Sequence, residues 1–247
     1  MTSLGLALIG LSVVFSSFLS GVFGMAGGMV LMGLLVLFLP VALTMVLHAT
    51  AQIASNFWRA WLWRTHVRWR IVGRYGVGVV VATALFGSVG FIPDKALVLI
   101  ALGLVPYLAV LIPAKHVPQA DKRWGAELAG FLCTIMQFLA GVSGALLDAF
   151  FIRSQDDRRR IVATKAAAQT IAHFAKLLYF SWAMGGETPV DDIALVIAVL
   201  AAMTGTTLGK IVLDRMNDVQ FRRWTQGIVL TVGTVYLVQG VYLLLSR

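Results

Sequence analysis

The chain has 247 residues, of which 59% are hydrophobic and 13% charged, about half the charged fraction of a soluble domain. With a mean hydropathy of +0.87 it requires lipid as its main solvent, and no stretch between its apolar segments is long enough for a separate soluble catalytic domain. The net charge of +9 does not point to nucleic acid, because the Lys and Arg residues sit in short loops where membrane topology accounts for them.

In chain order, apolar stretches are expected over 4–21, 28–40, 41–63, 75–91, 95–112, 126–140, 145–152, 161–182, 191–209 and 224–245. The first lacks the positive n-region of a secretion signal, since the first positive charge is Arg59, and is expected to stay in the mature protein. Stretches 28–40 and 145–152 are too short to cross about 30 Å of hydrocarbon. Each follows a glycine-containing interruption, Gly21-Val-Phe-Gly-Met-Ala-Gly-Gly28 and Gly141-Val-Ser-Gly144. Each is therefore expected to be the return limb of a broken or re-entrant helix. Cys133, the single cysteine, allows no internal disulfide and has no Cys or His cluster around it, so it reads as a packing residue, with no metal or other cofactor expected.

The basic residues form four clusters: Arg64, Arg68, Arg70 and Arg74; Lys115, Lys122 and Arg123; Arg153 with Arg158, Arg159 and Arg160; and Lys210, Arg215, Arg222 and Arg223. By the positive-inside rule all four should be cytoplasmic. The segment Met184 to Asp192, which carries Glu187, Asp191 and Asp192, and the turn at Pro93-Asp94-Lys95 belong outside. That is consistent only if 126–157 enters and leaves on one face and 4–40 is a hairpin opening on the other. The expected fold is thus an all-α polytopic membrane protein of two inverted repeats. Each repeat is a broken helical hairpin plus three transmembrane helices, about seven or eight spanning segments in all. The repeats would cover 1–113 and 125–247, joined by a cytoplasmic linker over 114–124, with both termini periplasmic.

Internal similarity supports the duplication. Phe18-Leu-Ser-Gly-Val-Phe-Gly24 matches Phe138-Leu-Ala-Gly-Val-Ser-Gly144, and the segment Ala49 to Arg59 matches Ala166 to Lys176. In the second pairing Gln52 meets Gln169, Asn56 meets His173, Phe57 meets Phe174 and Arg59 meets Lys176. Inverted repeats of this kind place a transport site at the midplane between them.

Polar residues inside a span are costly and usually face a cavity or the bundle interior. His48, Gln52 and Asn56 fall on one helical face, and Lys165, Gln169 and His173 repeat that stripe. The competing structural role is interhelical hydrogen bonding, and for Lys165 snorkelling toward the cytoplasm. At the glycine tips, a half-helix beginning near Ala26-Gly27-Gly28 or near Ser143-Gly144 offers free N–H groups to an anion, although glycines there also serve close helix packing. Asp148 stands where the first repeat has Gly28. It is expected to be neutralised by Arg153 or protonated, and His48 and His173 are rival proton carriers. Arg59, Arg153 and Lys165 are the candidate charged residues beside them. Trp58, Trp61, Trp63, Trp69, Trp124, Trp182 and Trp224 lie near predicted span ends, as an interfacial belt would.

These features resemble the TauE/SafE family of sulfite exporters. The likeness rests on the helix leading into Gly24-Met-Ala-Gly-Gly28, the Pro40-led helix ending in Asn56-Phe-Trp-Arg59 before a basic loop, and the repeat of both around Gly141 to Gly144 and Ala166 to Lys176. The resemblance implies export of sulfite, sulfoacetate or a related organosulfonate across a bacterial inner membrane, driven by the proton gradient. It implies substrate contacts from the tip running from Gly24 through Ala26, Gly27 and Gly28, from Ser143 and Gly144, and from Gln52, Asn56, Gln169 and His173, with His48 beside them. The second tip departs from the glycine pattern, with Ala145-Leu-Leu-Asp148 opposite Met25-Ala-Gly-Gly28. A passive anion channel, an uptake permease for another small anion, and a structural subunit are the alternatives. An intramembrane enzyme is disfavoured, since no Gly-x-Ser-x-Gly or His-Glu-x-x-His motif occurs. The expected partners are the anion, membrane lipid and, as a further candidate, a second copy in a homodimer.

Overall fold

The computed structural model describes residues 3–23, 25–111, 113–185, 191–213 and 218–246. Gly24, Glu187 and Arg215 lie outside the described residues, as do the side chains of Arg158, Arg222, Arg223 and Trp224.

The described residues form helices without strands: α1 (Ser3–Phe23), α2 (Met25–Phe38), α3 (Val41–Leu62), α4 (Trp69–Val89), α5 (Lys95–Leu111), α6 (Gly125–Ala140), α7 (Gly144–Ala149), α8 (Arg158–Ala183), α9 (Asp192–Leu213) and α10 (Asp218–Leu245). Single 3-10 turns lie at Arg64–His66 and Ala114–His116. Local chemistry accounts for several of the boundaries. Pro40, which has no N–H to leave unpaired, precedes α3. The Asp157 carboxylate accepts the Arg159 N–H at the start of α8. At the end of α6, Gly141 takes φ of 77° and donates its N–H to the Gln137 carbonyl, a left-handed cap that suits glycine.

Ser3–Val22, Trp69–Val89, Asp192–Val212 and Gly227–Leu245 are long and apolar enough to cross a membrane, by length and composition. Helices α3 and α8 have the length, at 22 and 26 residues, but their polar stripes lower their hydropathy. The outward faces carry exposed apolar rows at helical spacing, such as Leu4, Leu8, Leu11 and Phe15 on α1 and Val77, Val80, Val81 and Leu85 on α4. Rows of this extent need a hydrocarbon solvent, and this is a multi-pass membrane protein.

Four pairings dominate the bundle: α1 on α9, α4 on α6, α3 on α8 and α5 on α10. Directions follow from the contacts. His48, early in α3, meets Lys176, late in α8, while the N–H of Arg68, past the end of α3, donates to Thr164 near the start of α8. These two helices are therefore antiparallel. So are α5 and α10, where Gly240 packs on Ala96 and Ile100 while Tyr107 bonds Thr234 at 2.6 Å. Helices α1 and α9 run parallel, with Gly10 beside Ile197, Gly205 beside Val14 and Gly21 beside Gly209.

Lipid tails are as apolar as the side chains facing them, so helices in a bilayer associate through close packing and hydrogen bonds. Glycines supply the close packing here. A Cβ at Gly78 would overlap the Glu127 carbonyl oxygen and one at Gly130 the Tyr75 carbonyl oxygen, so α4 and α6 touch backbone to backbone. The same interface is bound at its end by Arg74, whose Nε and Nη2 both donate to the Glu127 carboxylate at 2.7 Å. Gly76, on the same helix, has open space around it. Gly78→Ala should therefore destabilise the detergent-solubilised protein by about 1–3 kcal/mol. Gly76→Ala should leave its unfolding temperature unchanged or slightly raised, with both read from thermal unfolding curves.

Candidate functional site

The polar stripes of α3 and α8 face each other. A small polar cavity opens between them, with His48, Gln52 and Asn56 on the α3 side and Gln169 and His173 on the α8 side. The remaining lining is Ser20 of α1, Gly28 from the first glycine interruption, and Val142, Ser143 and Gly144 from the second. None of the described residues that line it is a carboxylate.

Its walls are rich in hydrogen-bond donors. Asn56 Nδ2 donates to the Gln52 carbonyl at 2.9 Å and to Gln52 Oε1 at 3.3 Å. That engages the amide oxygen of Gln52 and leaves its Nε2, buried and without a partner, facing Gly28. His173 Nδ1 is likewise buried without a partner. Behind the lining, Gln137 Nε2 donates to Ser143 Oγ at 3.1 Å. An unpaired buried donor such as Gln52 Nε2 costs free energy until a ligand accepts from it, so the cavity favours a ligand that presents an acceptor atom there.

A chain of side-chain contacts runs behind this lining. His48 Nε2 lies 2.9 Å from the Gly28 carbonyl oxygen, which can only accept, so the network assigns the ring hydrogen to Nε2. That leaves Nδ1 to accept from Lys176 Nζ at 2.8 Å, and Lys176 Nζ also donates to the Gly141 carbonyl at 2.9 Å. His48, Lys176 and the two glycine carbonyls thus join α2, α3 and α8 to the end of α6. The His48 and His173 rings are 5.5 Å apart, centre to centre, and tilted by 53°.

Several sequence expectations place differently in space. Ala26 is buried, and Gly27 abuts the α1 backbone at Ser16 and Ser20. At the described part of the first tip it is Gly28 that lines the cavity, and the two residues before it serve helix packing. Asp148 is paired with Lys165 rather than Arg153. Arg153 donates instead to the Val117 carbonyl at 2.9 Å. The cause is helical geometry: α8 brings Lys165 alongside the short α7, while Arg153 lies beyond the end of α7, next to the loop before α6. Arg59, the repeat mate of Lys176, has its Nη2 buried without a hydrogen bond among the described residues.

Lys176, Ser20 and Val142 were not among the site residues the sequence suggested. Lys176 carried a usable signal, since an ionisable residue deep inside an apolar run is a functional candidate by default. The Trp residues keep to helix ends, with Trp61, Trp69, Trp124 and Trp182 exposed and Trp58 Nε1 donating to Thr207 at 3.1 Å.

The Asp148 and Lys165 side chains are still 34% and 22% exposed, so their pairing is partly screened. Asp148→Asn or Lys165→Met alone, each leaving one charge unpaired, should lower the unfolding temperature by roughly 2–4 °C. The double variant should recover most of that loss, in the manner of a coupled pair.

A model of the sulfite exporter TauE/SafE family matches residues 8–236, a span that takes in both polar stripes and both glycine interruptions. No curated protein and no solved structure matches the chain. Because the family match runs from the first turns of α1 into α10, this chain belongs to the TauE/SafE family of sulfite exporters.

Proposed function

We propose that this protein is a secondary transporter that exports sulfite, sulfoacetate or a related organosulfonate across the bacterial inner membrane, by alternating access coupled to protons. The observation that carries this reading is the polar cavity between α3 and α8, with the free Nε2 of Gln52 in its wall and no carboxylate among the described residues that line it. A sulfur oxyanion presents only acceptor oxygens, which match the free Nε2 of Gln52 and the neighbouring amides. Residues of Gln52, Asn56, Gln169, His173 and the Ser143-Gly144 turn are the proposed contacts.

The proposed architecture is two inverted repeats, 1–113 and 125–247, joined by a cytoplasmic linker over 114–124. Exchange of corresponding helices, α1 with α6, α2 with α7 and so on to α5 with α10, turns the α1 and α9 contact into the α6 and α4 contact. It also turns the α3–α8 and α5–α10 contacts into themselves. Repeat mates share environments as well: Phe57 and Phe174 are both exposed, and Asn56 and His173 are both buried. The antiparallel run of α3 against α8 and of α5 against α10 is what inversion requires. In this topology the basic loops are cytoplasmic and both termini periplasmic. A site at the junction of two such repeats opens to either face when one repeat rocks against the other.

Purified protein in liposomes should move sulfite or a small sulfonate with saturable kinetics and respond to an imposed pH gradient. Replacing both amides, Gln52→Ala with Gln169→Ala, should cut the rate about tenfold or more at subsaturating anion, since each removes a buried hydrogen bond to a charged group. Flux that never saturates would favour a passive channel, and undiminished flux in the double variant would remove these residues from the site.

A further inference from the structure

Lys176 is fully buried, at 0% exposure, yet its two partners, His48 Nδ1 and the Gly141 carbonyl, are both neutral acceptors. No carboxylate among the described residues pairs with it, and Asp148, the acidic residue of the adjacent α7, is engaged by Lys165. The titratable groups facing it are His48, from α3, and His173, one turn earlier on its own helix. A cation buried among dipoles alone is poorly compensated.

The cavity supplies the place for a compensating charge. His48 and His173, the side chains next to Lys176, line it, as do Val142, Ser143 and Gly144, which follow directly on the carbonyl that Lys176 holds. The contacts also cover two groups that would repel an anion. Lys176 occupies the Gly141 carbonyl oxygen and, through His48, keeps a ring N–H on the Gly28 carbonyl oxygen. The other polar walls, Gln52, Asn56, Gln169 and Ser143, are neutral and supply no charge to offset Lys176.

We propose that Lys176 is the specificity-determining cation of this cavity, a positioning residue that acts through His48 and makes the site prefer an anion to a neutral ligand of the same shape. This rests on the cavity being the substrate site, as proposed above. Attraction between an ammonium and an anion one side chain apart is strong because little water intervenes. The preference should therefore be built into binding itself, before any transport step.

The test is binding of ethanesulfonate against its neutral isostere ethanesulfonamide, to the full-length protein in detergent at neutral pH. The wild type should prefer the sulfonate by about tenfold or more. Lys176→Met and Lys176→Gln, the second retaining a donor for Gly141, should lose most of that preference while still binding the sulfonamide. An unchanged preference in either variant, folded by the criterion of cooperative thermal unfolding, overturns the proposal. So does equal binding of both ligands by the wild type, a result that needs no variant at all. A wild type that binds neither compound removes the substrate-site reading of the cavity and this proposal with it.

Discussion

A backbone carbonyl without a partner inside a bilayer costs several kcal/mol, and this chain interrupts a helix where α6 gives way to α7. Past that break the Gly141 carbonyl accepts from a side chain, Lys176. The donor has to come from α8, because no described backbone N–H bonds that oxygen. Lys176 in turn leans on His48 of α3, which spans to Gly28 at the start of α2. Satisfying the break thus requires polar crossing helices, and polar crossing helices in hydrocarbon must face one another. The cavity is the space that remains once those obligations are met, lined by the donors left over.

The rest of the bundle holds that arrangement in place with little hydrophobic driving force between helices. Glycine contacts let α1 meet α9 and α4 meet α6 at backbone distance, so many small dispersion contacts replace a few large side chains. Polar crosslinks join several helix pairs. Ser55 meets Thr206 at 2.7 Å between α3 and α9, Tyr107 meets Thr234 between α5 and α10, and Arg74 clasps Glu127 at the ends of α4 and α6.

The glycine interruption Gly141-Val-Ser-Gly144 was legible because it divides an apolar run from one too short to span a bilayer: α6 ends at Gly141 in a left-handed cap and α7 begins at Gly144. The stripe of His48, Gln52 and Asn56 was legible for a different reason, since spacing by four residues puts side chains on one face whatever the neighbours are. Gly27 was not legible. A glycine that clears room for a ligand and one that clears room for a helix look alike in a sequence, and here the α1 backbone takes the room.

By itself, then, the sequence determined what depends on one helix at a time: which segments are apolar, where they break, and which faces are polar. Local hydrogen bonding and side-chain periodicity control those features over a few residues. Partner choice was decided only by tertiary structure. Asp148 takes Lys165 over Arg153, and Lys176 bridges His48 and Gly141 instead of reaching for water. These outcomes depend on the distances at which separate helices cross, and those distances arise from packing residues far apart in the chain.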